Sequence, residues 1–166
     1  SRIIYPMAIG NVQYIEIGDQ ISIAYKAWLV AIKRDNIPPR LIIEDGTRMG
    51  HFSTIACLRH IHIGKNVLMA DHVFISDNIH GYEDITLPIM DQPLVFKGKV
   101  YIGDNSWIGQ NVCIIGAQIG KHCVIGANSV VTKDIPDYCV AAGAPARVVR
   151  MYNMKKMEWQ RAGEIR

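Results

Sequence analysis

"IGDNSWIGQNVCIIGAQIGKHCVIGANSVV", from Ile102 to Val131, cycles every six residues: an aliphatic side chain, then mostly Gly, then polar positions, then a small or branched one. The same cycle opens at Ile17, Ile23 and Leu29, at Ile43, Met49 and Ile55, and at Ile63, Met69 and Ile75. It resumes at Ile102, Ile108 and Ile114, and again at Ile119, Ile125 and Val131. A helix needs apolar spacing of about 3.6, and hairpin sheets need alternation with varied turns, so neither gives this period. Short strands meeting at tight corners do, and openings grouped in threes make each group one coil of a triangular prism. The aliphatic residue points inward at each step, and stacked coils bury an apolar column that no coil covers alone. Gly beside it is expected to serve corners whose conformation a Cβ penalises. The fold class is therefore all-β, a parallel β-helix. The period itself does not give the hand of the winding.

Composition bounds the rest. At 166 residues the chain suits one domain with a substantial core. Its 49% apolar and 20% charged residues are those of a globular protein, and no apolar run is long enough for a membrane span. Ser1–Gly10 lacks the basic–apolar–small order of a signal peptide, and the missing initial Met points to trimming or a boundary. A net charge of +3 is too mild to imply a nucleic-acid partner. Cys57, Cys113, Cys123 and Cys139 fit no metal-binding CxxC spacing and read as reduced core residues.

The hexads break in two places. "KRDNIPPR", Lys33–Arg40, contains Pro38–Pro39, which cannot continue a paired strand, and reads as a protruding corner loop. "GYEDITLPIMDQPLVFKGK", Gly81–Lys99, is a longer interruption with no hexad, expected to protrude without secondary structure of its own. It leaves the prism immediately after a histidine, in "SDNIHGYED", Ser76–Asp84. His51, His60, His62, His72 and His122 instead lie in or beside hexads, where a structural role is the default.

The hexads resemble those of the hexapeptide-repeat acyltransferases, and Val100–Arg150, with its "WIG", "GANSVVTKDIP" and "AAGAPAR" segments, is similar to the sugar O-acetyltransferases. The resemblance covers residues 12–150. It implies a left-handed winding, although crossovers between parallel strands are otherwise right-handed. It also implies acetyl-CoA as acyl donor, a homotrimer with active sites between subunits, and His80 as the catalytic base. By the same resemblance Gln110 and Ala127 meet the pantetheine arm, Thr132 and Lys133 meet the cofactor further out, and Arg147 and Arg150 lie near its nucleotide end. Lys133, Arg147, Arg150, Lys155 and Lys156 independently form a cationic C-terminal cluster suited to a polyphosphate. Zinc-dependent carbonic anhydrases share the scaffold, but no two histidines here are five residues apart, so no metal is expected.

The chemistry asks for a base that deprotonates a hydroxyl as it attacks a thioester, and an imidazole suits this near neutral pH. Asp77, Glu83 and Asp84 are candidates to orient the ring. Asp77, Tyr82, Asp84 and Trp107 are candidates to shape the acceptor site. Galactoside acetyltransferases carry an asparagine one coil before the histidine, where Gly50 and His51 stand here, so a different acceptor pocket is expected.

The expected protein is thus a cytoplasmic O-acetyltransferase acting on a sugar hydroxyl in surface-polysaccharide synthesis by direct transfer, with no membrane span. An N-acetyltransferase acting on an amino-sugar nucleotide, a carbonic anhydrase-like enzyme and an assembly β-helix are the alternatives. Residues 1–150 are expected to form the β-helix and 151–166 a C-terminal helix over "NMKKMEWQRAGEIR", capped by Asn153.

Overall fold

In the computed structural model, which describes residues 1–163, the hexads close into a three-sided parallel β-helix. Sheets of nine, six and five strands include its sides, and a two-stranded sheet stands off them. Each aliphatic opening stacks on the same position of the next coil. One column runs Ile17, Ile43, Ile63, Ile102, Ile119 and Ile135. A second runs Ile3, Ile23, Met49, Met69, Ile108, Ile125 and Ala141. The third runs Ile9, Leu29, Ile55, Ile75, Ile114 and Val131. Apart from Ile3, Ile9 and Ile17 in the first coil, every member is buried. Each such side chain contributes about 1.5–3 kcal/mol of transfer free energy. The columns begin before the first counted hexad, at Ile3 and Ile9, and continue past the last, at Ile135 and Ala141.

The glycines follow a different logic from the one expected. The left-handed corner positions are mostly not Gly: Lys26, Phe52, His72, Asn111 and Asn128 occupy them along one edge, all at φ between 55° and 60°. Gln20, Gly46, Asn66, Asn105, His122 and Tyr138 do so along another. Each backbone N–H of these residues, Gln20 aside, donates to a corner carbonyl of the preceding coil, as His72 does to His51 O at 2.8 Å. The hexad glycines are needed because the next coil passes too close. A Cβ on Gly50 would lie 2.5 Å from the carbonyl carbon of Ala70, and one on Gly109 would lie 2.7 Å from Ala127 N. Close stacking, not backbone conformation, selects Gly there.

The long interruption is an arm, and it has secondary structure of its own. Asn78–His80 pairs antiparallel with Leu94–Phe96, placing Asn78 opposite Phe96 and His80 opposite Leu94. Its tip is exposed and apolar, with Ile85 at 96% and Met90 at 83% of full exposure. Gln92, buried beneath it, holds the tip together: its Oε1 accepts the Asp84 N–H (3.2 Å), and its Nε2 donates to Asp84 O (2.9 Å) and Leu87 O (3.2 Å). The returning chain slips past Gly116, where a Cβ on Gly98 would lie 2.8 Å from Gly116 O. The Lys33–Arg40 loop protrudes as expected, with Lys33 through Pro38 exposed and Pro39 buried.

Among the described residues, the C-terminal segment is not helical. Cys139–Gly143 pairs antiparallel with Ala146–Asn153, which pairs in turn with Glu158–Arg161. Residue 150 therefore falls inside a strand. Asn153 does cap, but it caps a turn: its Oδ1 accepts the N–H groups of Lys155 (3.0 Å) and Lys156 (3.1 Å). Its carbonyl accepts Met157 N–H at 2.8 Å, with Met157 at φ 56°. Tyr152 and Trp159 then meet across the strands, ring centroids 5.5 Å apart and edge to face. Residues 164–166, the end of the expected helix, lie outside the described residues.

Candidate active site

His80 stands on a rigid mount. Asp77, fully buried, accepts three successive backbone N–H groups from the coil beneath: Leu58 (2.7 Å), Arg59 (2.6 Å) and His60 (2.8 Å). Asn78 adds Nδ2 bonds to Asp77 Oδ1 (2.9 Å) and Ala56 O (3.1 Å). The Ser76 hydroxyl bridges Asn78 O and Asn78 N. Asp77 O accepts the Lys97 N–H from the arm's returning limb at 2.8 Å. Ser76–Asn78 thus locks the point where the chain leaves the prism. Two residues further on, His80 is exposed, and among the described residues its ring has no hydrogen-bond partner.

Two concavities share this histidine. A cleft of about 470 Å³ is walled by Arg34 and Asp35 of the short loop, Leu58 and Arg59 of the coil, and Met90–Leu94 of the arm. A groove of about 610 Å³ runs over the outer face of the six-stranded sheet, along Trp28, Val30, Phe74 and Ile115. Arg34, His80 and Leu94 belong to both. In the cleft, the Arg59 guanidinium grips the Asp35 carboxylate with both of its terminal nitrogens. The Ile37 N–H and this guanidinium hold the Asp35 carboxyl below the usual carboxylate range.

The other candidates divide by edge. Gln110 and Ala127 are exposed and stacked on one corner, where Asn128 N donates to Gln110 O at 2.8 Å. Thr132 and Lys133 are exposed beyond the strand Val130–Val131, on the opposite edge of the six-stranded sheet. Arg147 and Arg150 share a face for a reason invisible in their spacing. The register shifts between Val140 and Ala141, leaving Val149 as an extra bulged residue, so Arg147 pairs with Ala142 and Arg150 with Val140. Arg161 lies opposite Arg150 and adds a cation that sequence reading missed. None of these six cofactor candidates lines either concavity around His80.

All four acceptor candidates are placed elsewhere. Asp77 is a buried tie and lines neither concavity. Asp84 organises the arm tip: its carboxylate accepts the Thr86 N–H (2.9 Å) and hydroxyl (2.6 Å), which hold its pKa below the ordinary value. Trp107 is half exposed on the nine-stranded sheet, a different side of the prism from the groove. Tyr82 is exposed on the outgoing limb and does not wall the cleft; the returning limb, Met90–Leu94, does. The acidic residues Asp77, Glu83 and Asp84 make no hydrogen bond to the His80 ring.

Cys57 approaches the mount, with Sγ 4.0 Å from Asp77 Oδ2. Burial, then the Asp77 charge, pushes its thiol up to about 12. Burial likewise raises Cys123 to about 11 and lifts Cys113 and Cys139. All four are free thiols, and these environments disfavour the thiolate a nucleophile needs. Among the described residues no three His, Cys, Asp or Glu side chains gather as a metal site. His62 Nε2 lies 3.0 Å from Glu44 Oε1 but makes no hydrogen bond among the described residues. No helix among the described residues is long and apolar enough to cross a membrane.

The family profile described as "Hexapeptide repeat of succinyl-transferase" matches residues 99–133. A putative lipopolysaccharide biosynthesis O-acetyl transferase of Escherichia coli is 32% identical over 165 residues, covering 95% of this chain and 82% of that protein. The chain belongs to the hexapeptide-repeat acyltransferases. Within that family, a probable acetyltransferase of Mycobacterium tuberculosis is 43% identical over 117 residues, 70% of this chain; the match spans only 38% of that longer protein. The structure of a galactoside acetyltransferase in complex with coenzyme A superimposes with a TM-score of 0.66 at 29% identity, over 87% of this chain and 69% of that one. An N-acyltransferase of Bacillus cereus in complex with dTDP and coenzyme A shares the fold, with a TM-score of 0.71 at 18% identity over 90% of this chain and 79% of that one.

Proposed function

We propose that this protein transfers acetyl from acetyl-CoA to a sugar hydroxyl in surface-polysaccharide synthesis, acting as a cytoplasmic homotrimer of left-handed β-helices. The observation that carries this is the mount: a buried carboxylate with three backbone donors fixes the chain three residues before an exposed imidazole on the wall of a cleft. His80 takes the proton of the acceptor hydroxyl as its oxygen attacks the thioester carbonyl. Backbone N–H groups meet the resulting oxyanion. Collapse breaks the C–S bond, the proton passes from the imidazolium to the departing thiolate, and the acetyl ester and CoA leave. No acyl-enzyme is needed, and the raised cysteine thiols agree with direct transfer.

A site between copies is supported by the separation of His80 from Gln110 and Ala127, which lie on another edge of the same chain. The apolar outer face that joins them, with half-exposed Trp28 and Phe74, is suited to cover by a neighbour. Arg147 and Arg150, brought to one face by the bulge, are suited to the nucleotide phosphates. The family likeness of the galactoside acetyltransferase structure, which holds coenzyme A, supports the donor.

Calorimetric titration of acetyl-CoA into the purified protein tests the reading without requiring the acceptor. The expected result is saturable binding that weakens about tenfold or more in Lys133→Ala and Arg150→Ala. No heat at millimolar cofactor would overturn it. Transfer to an amino sugar in preference to hydroxyl acceptors would favour the N-acetyltransferase alternative.

A further inference from the structure

The arginines of the short loop and of the coil beneath it are not equivalent. Arg40 is held bidentately by Glu16, with Nε to Oε1 at 2.9 Å and Nη2 to Oε2 at 3.3 Å. Arg59 is held by Asp35 through two nitrogens, and one of these also donates to Leu58 O at 3.3 Å. Asp35 is further engaged by the Ile37 N–H at 2.9 Å. Arg34, adjacent to Asp35, has no carboxylate within ion-pair distance among the described residues, yet it walls both the cleft and the groove beside His80. The loop therefore neutralises one arginine with its own aspartate and leaves the next to face the space where an acceptor sits. Asp91, on the arm's short turn Ile89–Asp91, also walls the cleft, and among the described residues its carboxylate makes no hydrogen bond.

An unpaired guanidinium offers donors in a rigid fork that matches a planar or tetrahedral oxyanion. A carboxylate on the cleft wall accepts the hydroxyls of a pyranose and repels a second anionic group placed there. Together they select for a sugar with one negative group, oriented with that group toward the short loop. We infer that the acceptor is an anionic sugar, bearing a carboxylate or a phosphate, which Arg34 recognises beside His80. This rests on the proposed transferase activity and names its substrate class. Arg34 is a specificity-determining residue in this account, and the Lys33–Arg40 interruption in the hexads exists to present it.

The test uses the whole chain and two matched pairs of acceptors: p-nitrophenyl β-D-glucuronide against the glucoside, and galactose 1-phosphate against galactose. The expected result is that the charged member of at least one pair is preferred about 10–100-fold in kcat/KM, mostly through KM. The pair that shows it tells carboxylate from phosphate. The preference should collapse in Arg34→Ala, return in part in Arg34→Lys, and shrink with added salt. Equal use of charged and neutral members by the wild type, or a preference that survives Arg34→Ala, would overturn the inference. Acetylation of none of the four would also overturn it. Acetyl-CoA binding in the same preparation would then tell whether the transferase reading falls with it.

Discussion

The root and the tip of the arm are separated by only a few residues and obey opposite physics. At the root, Ser76, Asp77 and Asn78 are all buried, and their polar atoms are bonded to the coil beneath or to one another. At the tip, Tyr82, Ile85, Leu87, Ile89 and Met90 stand largely in solvent, and one buried glutamine ties the turn. The difference teaches where position is held in this molecule. His80 lies on the root side of that divide, next to the fixed residues, whereas the tip is free to meet a substrate or a neighbouring copy.

Removing the root carboxylate should have the largest effect on stability. Asp77→Ala strands three backbone donors, that of Leu58 buried and those of Arg59 and His60 partly so, and a loss of about 3–5 kcal/mol in chemical denaturation is expected. A loss below 1 kcal/mol would mean that the mount is not what fixes the arm. Crowding the stack is next: Gly50→Ala pushes a methyl against the Ala70 carbonyl, and about 1–3 kcal/mol of destabilisation is expected by the same measurement. Thiol chemistry sharpens the contrast further. With Cys57 pushed up to about 12, its alkylation at pH 8 should be slower than that of an ordinary thiol by roughly a thousandfold, read by mass spectrometry of the native protein. Labelling at an ordinary rate would show that the root opens. At the tip, Ile85→Ser and Met90→Ser should change stability by no more than about 0.5 kcal/mol, since both side chains are already in water.

The inner columns were legible because inward packing imposes a local period: Ile102, Ile108 and Ile114 announce their geometry within a dozen residues. Ile3 and Ile9 of the first coil were not counted, because they stand before the regular hexads and are themselves less covered. His80 was singled out by its place at the break, but its mount gave no sign in the sequence. Asp77 acts through Leu58, Arg59 and His60, which are neighbours only because coils stack. The "MKKMEWQR" segment misled for the converse reason. Its apolar spacing over one turn fits a helix as well as a hairpin, and the decision lies in Tyr152 meeting Trp159 across the strands. Likewise Val149 gives no local sign of the bulge that aligns Arg147 with Arg150.

The measurement that bears most directly on the central claim is steady-state acetyl transfer by His80→Ala, set beside acetyl-CoA binding by the same preparation. A positioned general base predicts a fall in kcat of about 10²–10⁴-fold, with cofactor affinity and thermal unfolding close to those of the wild type. A fall of less than about threefold would contradict the assignment of His80, and with it the account of why the chain builds so firm a mount beneath that residue.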